Sequence, residues 1–347
     1  MSPSRAADFK TCPLLFRFRT IDKLPELPSA DQIRGTLVHA VLERLFDLPA
    51  AERTPEAAAA LVAPEWDKLL TQDPSLAEIF TTPPPSAAPS GAAGALPPAG
   101  ALPPAGALPP AVDPAAVAVD PAAVAAEADA TGQAALIDVP AADAEAARVA
   151  AFLSSATALL SGYFAVEDPQ RLQPAERETL ISTVIGDDLL LRGYIDRLDV
   201  SPAGDMRVVD YKTGGAPREA FEGRALFQLK FYALVLWRTR GIVPRVLRLL
   251  YLKDAEVCDY SPEAGELERF ERTLTALSAA IERAKRDRDF RPKPSRLCGW
   301  CRHQQLCPEF GGTPPPFPEL TLTTVPATAP DVEPDRVGAL LRDDPLG

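Results

Sequence analysis

The chain has 347 residues, a formal net charge of −12 and five cysteines. Its length allows two average domains, although length is only a soft guide. We find neither a run of about 18 apolar residues, as a membrane helix needs, nor the apolar core of a signal peptide, so we expect a cytoplasmic protein without membrane contact. In a reducing compartment, five cysteines indicate a metal site, a cluster or catalysis rather than disulfides.

The acidic charge is unevenly distributed along the chain. Residues 151–310 carry 24 basic and 23 acidic side chains, whereas residues 81–150 and 311–347 carry net charges of −6 and −4. The net charge therefore does not exclude a nucleic-acid partner for the central segment. That segment contains a basic run: Arg283, Lys285, Arg286, Arg288, Arg291, Lys293, Arg296 and Arg302. Such a run is typical of a phosphate-binding surface, but taken alone it is more simply a solvated helix face.

Two segments are predicted to be disordered. Residues 81–144 are mainly alanine, proline and glycine, and they cannot bury enough apolar surface to offset their ordering entropy. Residues 311–347 are again proline-rich and acidic, and we interpret them as a loose tail with a short helix near Asp335–Arg342. Residues 1–80, an N-terminal helical segment, and residues 145–310 are predicted to fold as one unit around the insert.

Periodicity predicts an α/β fold with a mixed sheet. Ser29 and Gln32 form a capping-box pattern that opens an apolar-periodic helix through Leu45. A second helix is predicted over 144–164. Three strands, a helix, a strand and a long charged helix then follow over 178–185, 189–200, 206–212, 218–240, 245–253 and 262–289. This order implies a mixed sheet with helices packed on it.

Two acidic residues and a lysine lie on adjacent predicted strands. Asp210 and Lys212 are two residues apart and therefore face the same side of their strand, while Asp196 lies on the preceding strand. Carboxylates hold Mg²⁺ or Mn²⁺ against a phosphate, and a neighbouring lysine can orient or deprotonate the attacking water. Taken alone, an Asp-x-Lys pair is more simply an exposed ion pair.

Several sequence blocks extend this pattern in one order along the chain. They are Ser2–Arg5 with Cys12-Pro13, Arg34–His39, Gly193–Arg197, Val209–Gly214, Gln228–Tyr232 and a C-terminal set of cysteines. In these blocks the sequence resembles the RecB-like and AddB-like nucleases of the PD-(D/E)xK superfamily, and the nuclease that trims spacer precursors in CRISPR systems. The resemblance covers about residues 2–80 and 145–310. It implies a restriction-endonuclease-like core and a metal-dependent DNA nuclease, expected to be an exonuclease of DNA repair or recombination.

The resemblance also implies a set of metal ligands. Mg²⁺ or Mn²⁺ would be bound by His39 from the early helix, by the carboxylates of Asp196 and Asp210, and by the carbonyl oxygen of Tyr211. Without the resemblance, His39 is more simply a helix-surface histidine paired with Glu43 four residues later.

Other residues of the site are assigned by the same resemblance. Lys212 would be the catalytic lysine, and Glu178 would be a further acidic group at the edge of the site. Gln228 and Tyr232 are four residues apart on a helix, so they share a face that would position the substrate or the lysine. The alternative for these two is a polar pair on an amphipathic helix.

Three of the five cysteines are close in sequence. Cys298, Cys301 and Cys307 lie within ten residues, and the resemblance implies that Cys12 completes a set of four ligands for a 4Fe–4S cluster. Such a cluster would join residues 286 positions apart. Four thiolates also suit tetrahedral Zn²⁺, which stays open as the alternative. Cys258 is predicted to be an ordinary thiol.

The partners expected from the sequence are DNA, as single strands or duplex ends, and a separate helicase. The chain has no Gly-x4-Gly-Lys-Ser/Thr phosphate loop, so it carries no helicase motor of its own. Two alternatives remain open: a catalytically inactive DNA-binding or scaffold subunit, and an iron–sulfur protein of electron transfer.

Overall fold

A five-stranded mixed sheet forms the centre of the fold. The computed structural model describes residues 1–81, 141–216 and 222–318. In these residues the strands are β1 (Glu176–Ile185), β2 (Leu189–Val200), β3 (Met206–Lys212), β4 (Val246–Tyr251) and β5 (Glu256–Tyr260). They lie side by side in chain order, and neighbours are antiparallel except β3 and β4, which are parallel. The predicted mixed α/β architecture is confirmed.

Helices cover both faces of this sheet. The α-helices of the described residues are α1 (Pro3–Thr11), α2 (Pro13–Phe16), α3 (Ala30–Leu45), α4 (Pro55–Gln72), α5 (Glu78–Thr81), α6 (Ala141–Val166), α7 (Glu222–Arg240) and α8 (Ala264–Asp287). The predicted capping box opens α3: Ser29 Oγ accepts from the Gln32 N–H, and Gln32 Oε1 accepts from the Ser29 N–H. This reciprocal pair satisfies donors that the first turn would leave unpaired.

The two faces of β3 belong to two different hydrophobic cores. Val208 packs with residues of α7 and α8, while Val209 and Tyr211 pack with residues of α3, α4 and α6. Because successive side chains of a strand point to opposite faces, Asp210 and Lys212 lie on the α7 side. The predicted common face of Asp210 and Lys212 follows from this alternation.

Some elements differ from the sequence-based expectation. Helix α4, which has Pro64 inside it, and strand β5 were not predicted. Helix α6 begins at Ala141, so the last residues of the predicted insert are helical. Residues 311–318, assigned to the loose tail, are placed: Phe317 stacks on Phe290 at 5.9 Å between ring centroids. The rest of the insert and tail, including the short helix predicted near 335–342, lies outside the described residues.

Helix α6 also differs from the membrane expectation. Within the described residues, the segment Asp143–Val166 is the one helix long and apolar enough to cross a membrane by length and composition. The expectation that no segment reaches this length and apolarity is therefore not met for α6. One face of the helix, which includes Phe152, Ala156 and Tyr163, packs in the core shared with α3 and α4. A core helix passes the same test of length and composition.

A glycine allows α6 to approach the end of β4 closely. A Cβ atom at Gly162 would lie 1.8 Å from the carbonyl oxygen of Leu252. Backbone atoms cannot move aside as the end of a flexible side chain can. The contact therefore requires glycine at this position of the helix, although glycine is an unfavourable residue in a helix interior.

We expect Gly162→Ala to destabilise the protein by about 1–3 kcal/mol, because the added methyl group overpacks a backbone contact. Thermal unfolding followed by circular dichroism measures the change. The control is Gly223→Ala in α7, where an added Cβ meets no atom within 4 Å. If both variants unfold at the wild-type temperature, the close approach of α6 to Leu252 is not a constraint.

Candidate active site

The candidate site lies where β2 and β3 separate. The last paired residues of their ladder are Arg197 and Val209. Beyond this rung the backbone N–H of Tyr211 donates to Oδ2 of Asp196 at 2.8 Å instead of to a strand partner. The carboxylate of Asp196 therefore occupies the gap between the two strands, beside Asp210.

The alternation of β2 reverses at the same position. Ile195 and Leu198 both join the core against α7, although residues three apart normally face opposite sides of a strand. On the neighbouring strand Glu178 has a φ of 43°, in the left-handed region that non-glycine residues rarely adopt. Irregularities of this kind re-aim side chains next to functional sites. Here they direct Glu178 and Asp196 towards one point.

His39 reaches this point from α3. Its Nδ1 lies 3.5 Å from Asp196 Oδ2 and 3.7 Å from Glu178 Oε1. Its Nε2 lies 2.9 Å from the carbonyl oxygen of Tyr211. One ligating atom each of His39, Glu178 and Asp196 lies within 4.8 Å of the other two. The alternative for His39 was a pairing with Glu43; the structure places the imidazole against Asp196, Glu178 and the carbonyl oxygen of Tyr211.

The convergence of acids shifts the protonation equilibria of the site. Burial alone would lower the pKa of His39, but Asp196, Glu178 and Asp210 outweigh it and raise this pKa to about 10. Burial raises the pKa of Asp196 well above its usual value, and the charges of Asp210 and Glu178 raise it further. Without a cation, these raised pKa values favour the protonated forms of His39 and Asp196. This is expected where several acidic groups lie close enough to bind one metal ion.

Lys212 is the second charged part of the site. Its Nζ lies 2.8 Å from Asp210 Oδ2 and donates to Oε1 of Gln228 at 2.9 Å. Gln228 Nε2 in turn donates to the hydroxyl of Tyr232 at 2.9 Å. A Cβ at Gly193 would lie 2.8 Å from the Tyr232 ring, so glycine admits this tyrosine against β2. The chain of contacts from Tyr232 to Lys212 holds the ammonium group beside Asp210.

The residues present fit a divalent cation. His39 Nδ1 is buried and lacks a hydrogen bond. Asp210 Oδ2 also lacks a hydrogen bond of acceptable angle, despite the nearby lysine. A histidine that binds a metal commonly donates its other ring N–H to a backbone carbonyl, as Nε2 can do here to Tyr211. Nδ1 would then hold the ion together with the carboxylates of Asp196 and Glu178. Asp210 lies outside their 4.8 Å group, but its charge acts on both His39 and Asp196.

Comparison with known proteins decides the family. The sequence matches the family model of the PD-(D/E)XK nuclease superfamily over residues 1–95 and 106–308. The chain belongs to this superfamily. The match extends into the predicted insert, beyond the residues 2–80 and 145–310 that carry the resemblance. A search of curated proteins finds no match. Among solved structures, one titled "Crystal structure of SSO0001" matches at a TM-score of 0.30 and 19% identity, over 48% of this chain and 80% of its own. That TM-score is too low to support an argument.

A buried arginine, Arg197, supports the candidate site through Tyr211. The Arg197 side chain is fully buried and donates to both carboxylate oxygens of Glu167 at 2.6 and 2.8 Å. It also donates to Asp199 and, at 2.9 Å, to the hydroxyl of Tyr211. Tyr211 in turn contacts His39 through its carbonyl and Asp196 through its N–H. Arg197 thus anchors the residue whose main chain holds two of the candidate ligands.

Arg197 and Glu167 received no role from sequence reasoning. The available signal was an arginine between two aspartates on a strand, but its partner Glu167 directly follows α6 and lies 30 residues earlier in the chain. Glu178 was placed only at the edge of the site, because nothing in the pattern of β1 indicates its left-handed backbone. In the structure it lies 3.7 Å from His39 Nδ1, compared with 3.5 Å for Asp196.

The predicted cluster ligands come from both ends of the described chain. Burial raises the pKa of the Cys301 thiol, and the proximity of Cys12 and Cys307 raises it further. Cys12 Sγ accepts the backbone N–H of Lys293 at 3.4 Å, and Cys298 Sγ accepts that of Ser295 at 3.3 Å. Backbone N–H donors to sulfur suit thiolates that bind iron. In the described ranges, no three of these sulfurs lie within 4.8 Å of one another.

We expect Arg197→Met to destabilise the protein by about 3–5 kcal/mol, because Glu167 would keep a buried charge without its partner. The double variant Arg197→Met/Glu167→Gln should recover part of this loss. Equilibrium unfolding in urea measures both. The control is Arg238→Met, whose partially exposed pair with Glu271 should contribute at most about 1 kcal/mol. Equal losses for Arg197→Met and Arg238→Met would show that the buried network is not a support.

Proposed function

We propose that this chain is an Mg²⁺- or Mn²⁺-dependent DNA nuclease that acts as an exonuclease in DNA repair or recombination. Members of the PD-(D/E)XK superfamily are typically metal-dependent nucleases. The single observation that supports the proposal most is the convergence of His39, Glu178 and Asp196, with Asp210 and Lys212 alongside. A scaffold protein has no need of a buried histidine, three acids and a lysine at the point where two strands separate.

The roles of the residues follow from the resemblance to RecB-like and AddB-like nucleases together with their contacts. His39, Asp196 and Asp210 would bind the cation, and Glu178 would be a further oxygen ligand. A divalent cation bound there would polarise the scissile phosphate and make an attacking water more acidic. Lys212, held by Gln228, would orient that water and offset the negative charge that develops on the phosphate.

The RecB-like and AddB-like subtype is part of the proposal. The sequence blocks that carry this resemblance lie in the same order as in those nucleases, and those domains work beside a helicase motor that this sequence lacks. We therefore propose DNA ends or single strands as the substrate and a separate helicase as a partner. The alternative of an inactive scaffold subunit is decided by an activity assay.

We expect Mn²⁺-dependent degradation of end-labelled linear DNA by the purified protein. Asp210→Asn and Lys212→Met should each lower the rate by about a hundredfold or more, because each removes several kcal/mol of transition-state stabilisation. Asp205→Asn is the matched control, since Asp205 pairs with the exposed Arg245 in a turn away from the site. Equal degradation by wild type and both site variants would indicate contamination and support the inactive scaffold.

We further propose that Cys12, Cys298, Cys301 and Cys307 bind a 4Fe–4S cluster. Their half-buried positions and the N–H donors to two of the sulfurs support it. Tetrahedral Zn²⁺ would hold its sulfurs about 3.8 Å apart, given Zn–S bonds of about 2.3 Å, whereas a cluster accommodates a wider spacing. Among the described residues no three of these sulfurs lie within 4.8 Å of one another, so they are not arranged as a tetrahedral Zn²⁺ site.

Iron and zinc analysis of protein purified without oxygen tests this proposal. We expect four irons per chain, broad visible absorption, and the loss of both in Cys12→Ser. That variant should also lose roughly 2–5 kcal/mol of stability, since the cluster closes a very long loop. Cys258→Ser on β5 is the control and should retain the iron. One zinc per chain, in a colourless protein, would contradict the cluster.

A further inference from the structure

The outer face of the β1–β2 hairpin carries exposed apolar side chains. Leu180, Val184 and Leu190 are 45%, 57% and 45% exposed, respectively. The register pairs Leu180 with Tyr194, Ser182 with Arg192, and Val184 with Leu190, so these six residues form three successive rungs on one face. The opposite face, which includes Ile181, Leu191 and Ile195, belongs to the core against α7. Within the described chain, the outer face is the side of the hairpin without such a core.

This face is continuous with the candidate active site. Arg177 pairs with Arg197 and Thr179 with Ile195, so Glu178 and Asp196 lie opposite each other on the next rung. Leu180 and Tyr194 therefore form the rung next to Glu178 and Asp196. The hairpin turn at the far end carries the exposed carboxylates of Asp187 and Asp188. The face is thus bounded by the active site at one end and by negative charge at the other.

We propose that this outer face, which we call the hairpin face, binds about three unpaired nucleotides adjacent to the scissile bond, because each rung advances about 6.7 Å, close to one nucleotide of an extended strand. The inference rests on the proposed nuclease function and adds to it a surface for the bases. Tyr194 offers a ring for stacking, the exposed leucine and valine side chains contact base faces, and Arg192 in the middle rung contacts the phosphodiester backbone.

The chemistry of the hairpin face favours unpaired over paired nucleotides. A duplex presents phosphates and sugars on its outside, and leucine and valine gain little from contact with charged oxygens. The apolar faces of bases are accessible in an unpaired strand. A basic groove without apolar residues would instead be expected for a surface that contacts duplex backbone.

Equilibrium binding of fluorescein-labelled oligothymidylate, measured by anisotropy with Ca²⁺ in place of Mn²⁺, tests the proposal. Leu180→Ser/Val184→Ser should weaken binding about fivefold or more, equivalent to about 1 kcal/mol. Val184→Trp should tighten binding by a similar factor, a gain that misfolding cannot imitate. Val257→Ser on β5 is the matched control, because Val257 is a similarly exposed strand residue at the other edge of the sheet.

A small substrate separates this proposal from the nuclease function. Thymidine 5′-(p-nitrophenyl phosphate) can occupy the metal-binding position and at most the first rung of the hairpin face, so its Mn²⁺-dependent hydrolysis should be equal in wild type and Val184→Ser, whose side chain lies on the third rung. No hydrolysis by wild type would contradict the nuclease proposal, while the anisotropy result would still decide whether the face binds nucleotides.

Three results would overturn the hairpin proposal. The first is unchanged oligothymidylate binding in both the double serine and the tryptophan variants. The second is an equal loss of affinity for oligothymidylate and for a blunt duplex, which would indicate backbone contacts alone. The third is a serine variant that changes the oligomeric state in sedimentation without changing nucleotide binding, which would assign the face to a second copy of the chain.

Discussion

The separation of β2 from β3 is the feature on which the site depends. A regular ladder would have paired the Tyr211 N–H with a backbone carbonyl, and the side chain of Asp196 would have followed the alternation of its strand. Instead the Tyr211 N–H donates to the Asp196 carboxylate, while the Tyr211 carbonyl contacts His39. One residue of backbone thus holds an acid from β2 and an imidazole from α3. The buried Arg197 guanidinium donates a hydrogen bond to the Tyr211 hydroxyl and so fixes this arrangement to the core.

The same arrangement concentrates charge in a way that is unfavourable without a cation. Burial and mutual repulsion raise the pKa of Asp196, and the acids raise the pKa of His39. His39 Nδ1 is buried without a hydrogen bond, which adds to this unfavourable energy, whereas the buried Asp210 Oδ2 has the Lys212 ammonium 2.8 Å away. A divalent cation would remove both problems at once, because it replaces repulsion by attraction and supplies a partner for Nδ1. The fold therefore holds strain at the site that ligand binding can release.

Local parts of the site could be predicted from the sequence, and long-range parts could not. The common face of Asp210 and Lys212 follows from the period of a strand, and the capping box at Ser29 fixes where α3 begins. The proximity of His39 to Asp196 joins residues far apart in the chain, and only the family resemblance suggested it. The left-handed backbone of Glu178 has no sequence signal, since glutamate does not favour that region. Helix α4 was missed because alanine and an internal proline weaken its periodicity.

The predicted insert lies between two helices that contact each other directly. Helices α5 and α6, which precede and follow it, are joined by Arg148, whose Nε donates to the Phe80 carbonyl at 2.7 Å. Phe80 also packs against Phe152 and Trp66. These contacts already bring the two ends together, and for a flexible connection between such ends each doubling of length costs only about 0.6 kcal/mol of loop-closure entropy. The β1–β2 hairpin, β3 and α7 follow the insert in the sequence, and α3 packs on β3 in the core that it shares with α6. The candidate ligands of the active site thus come from described segments on both sides of the insert.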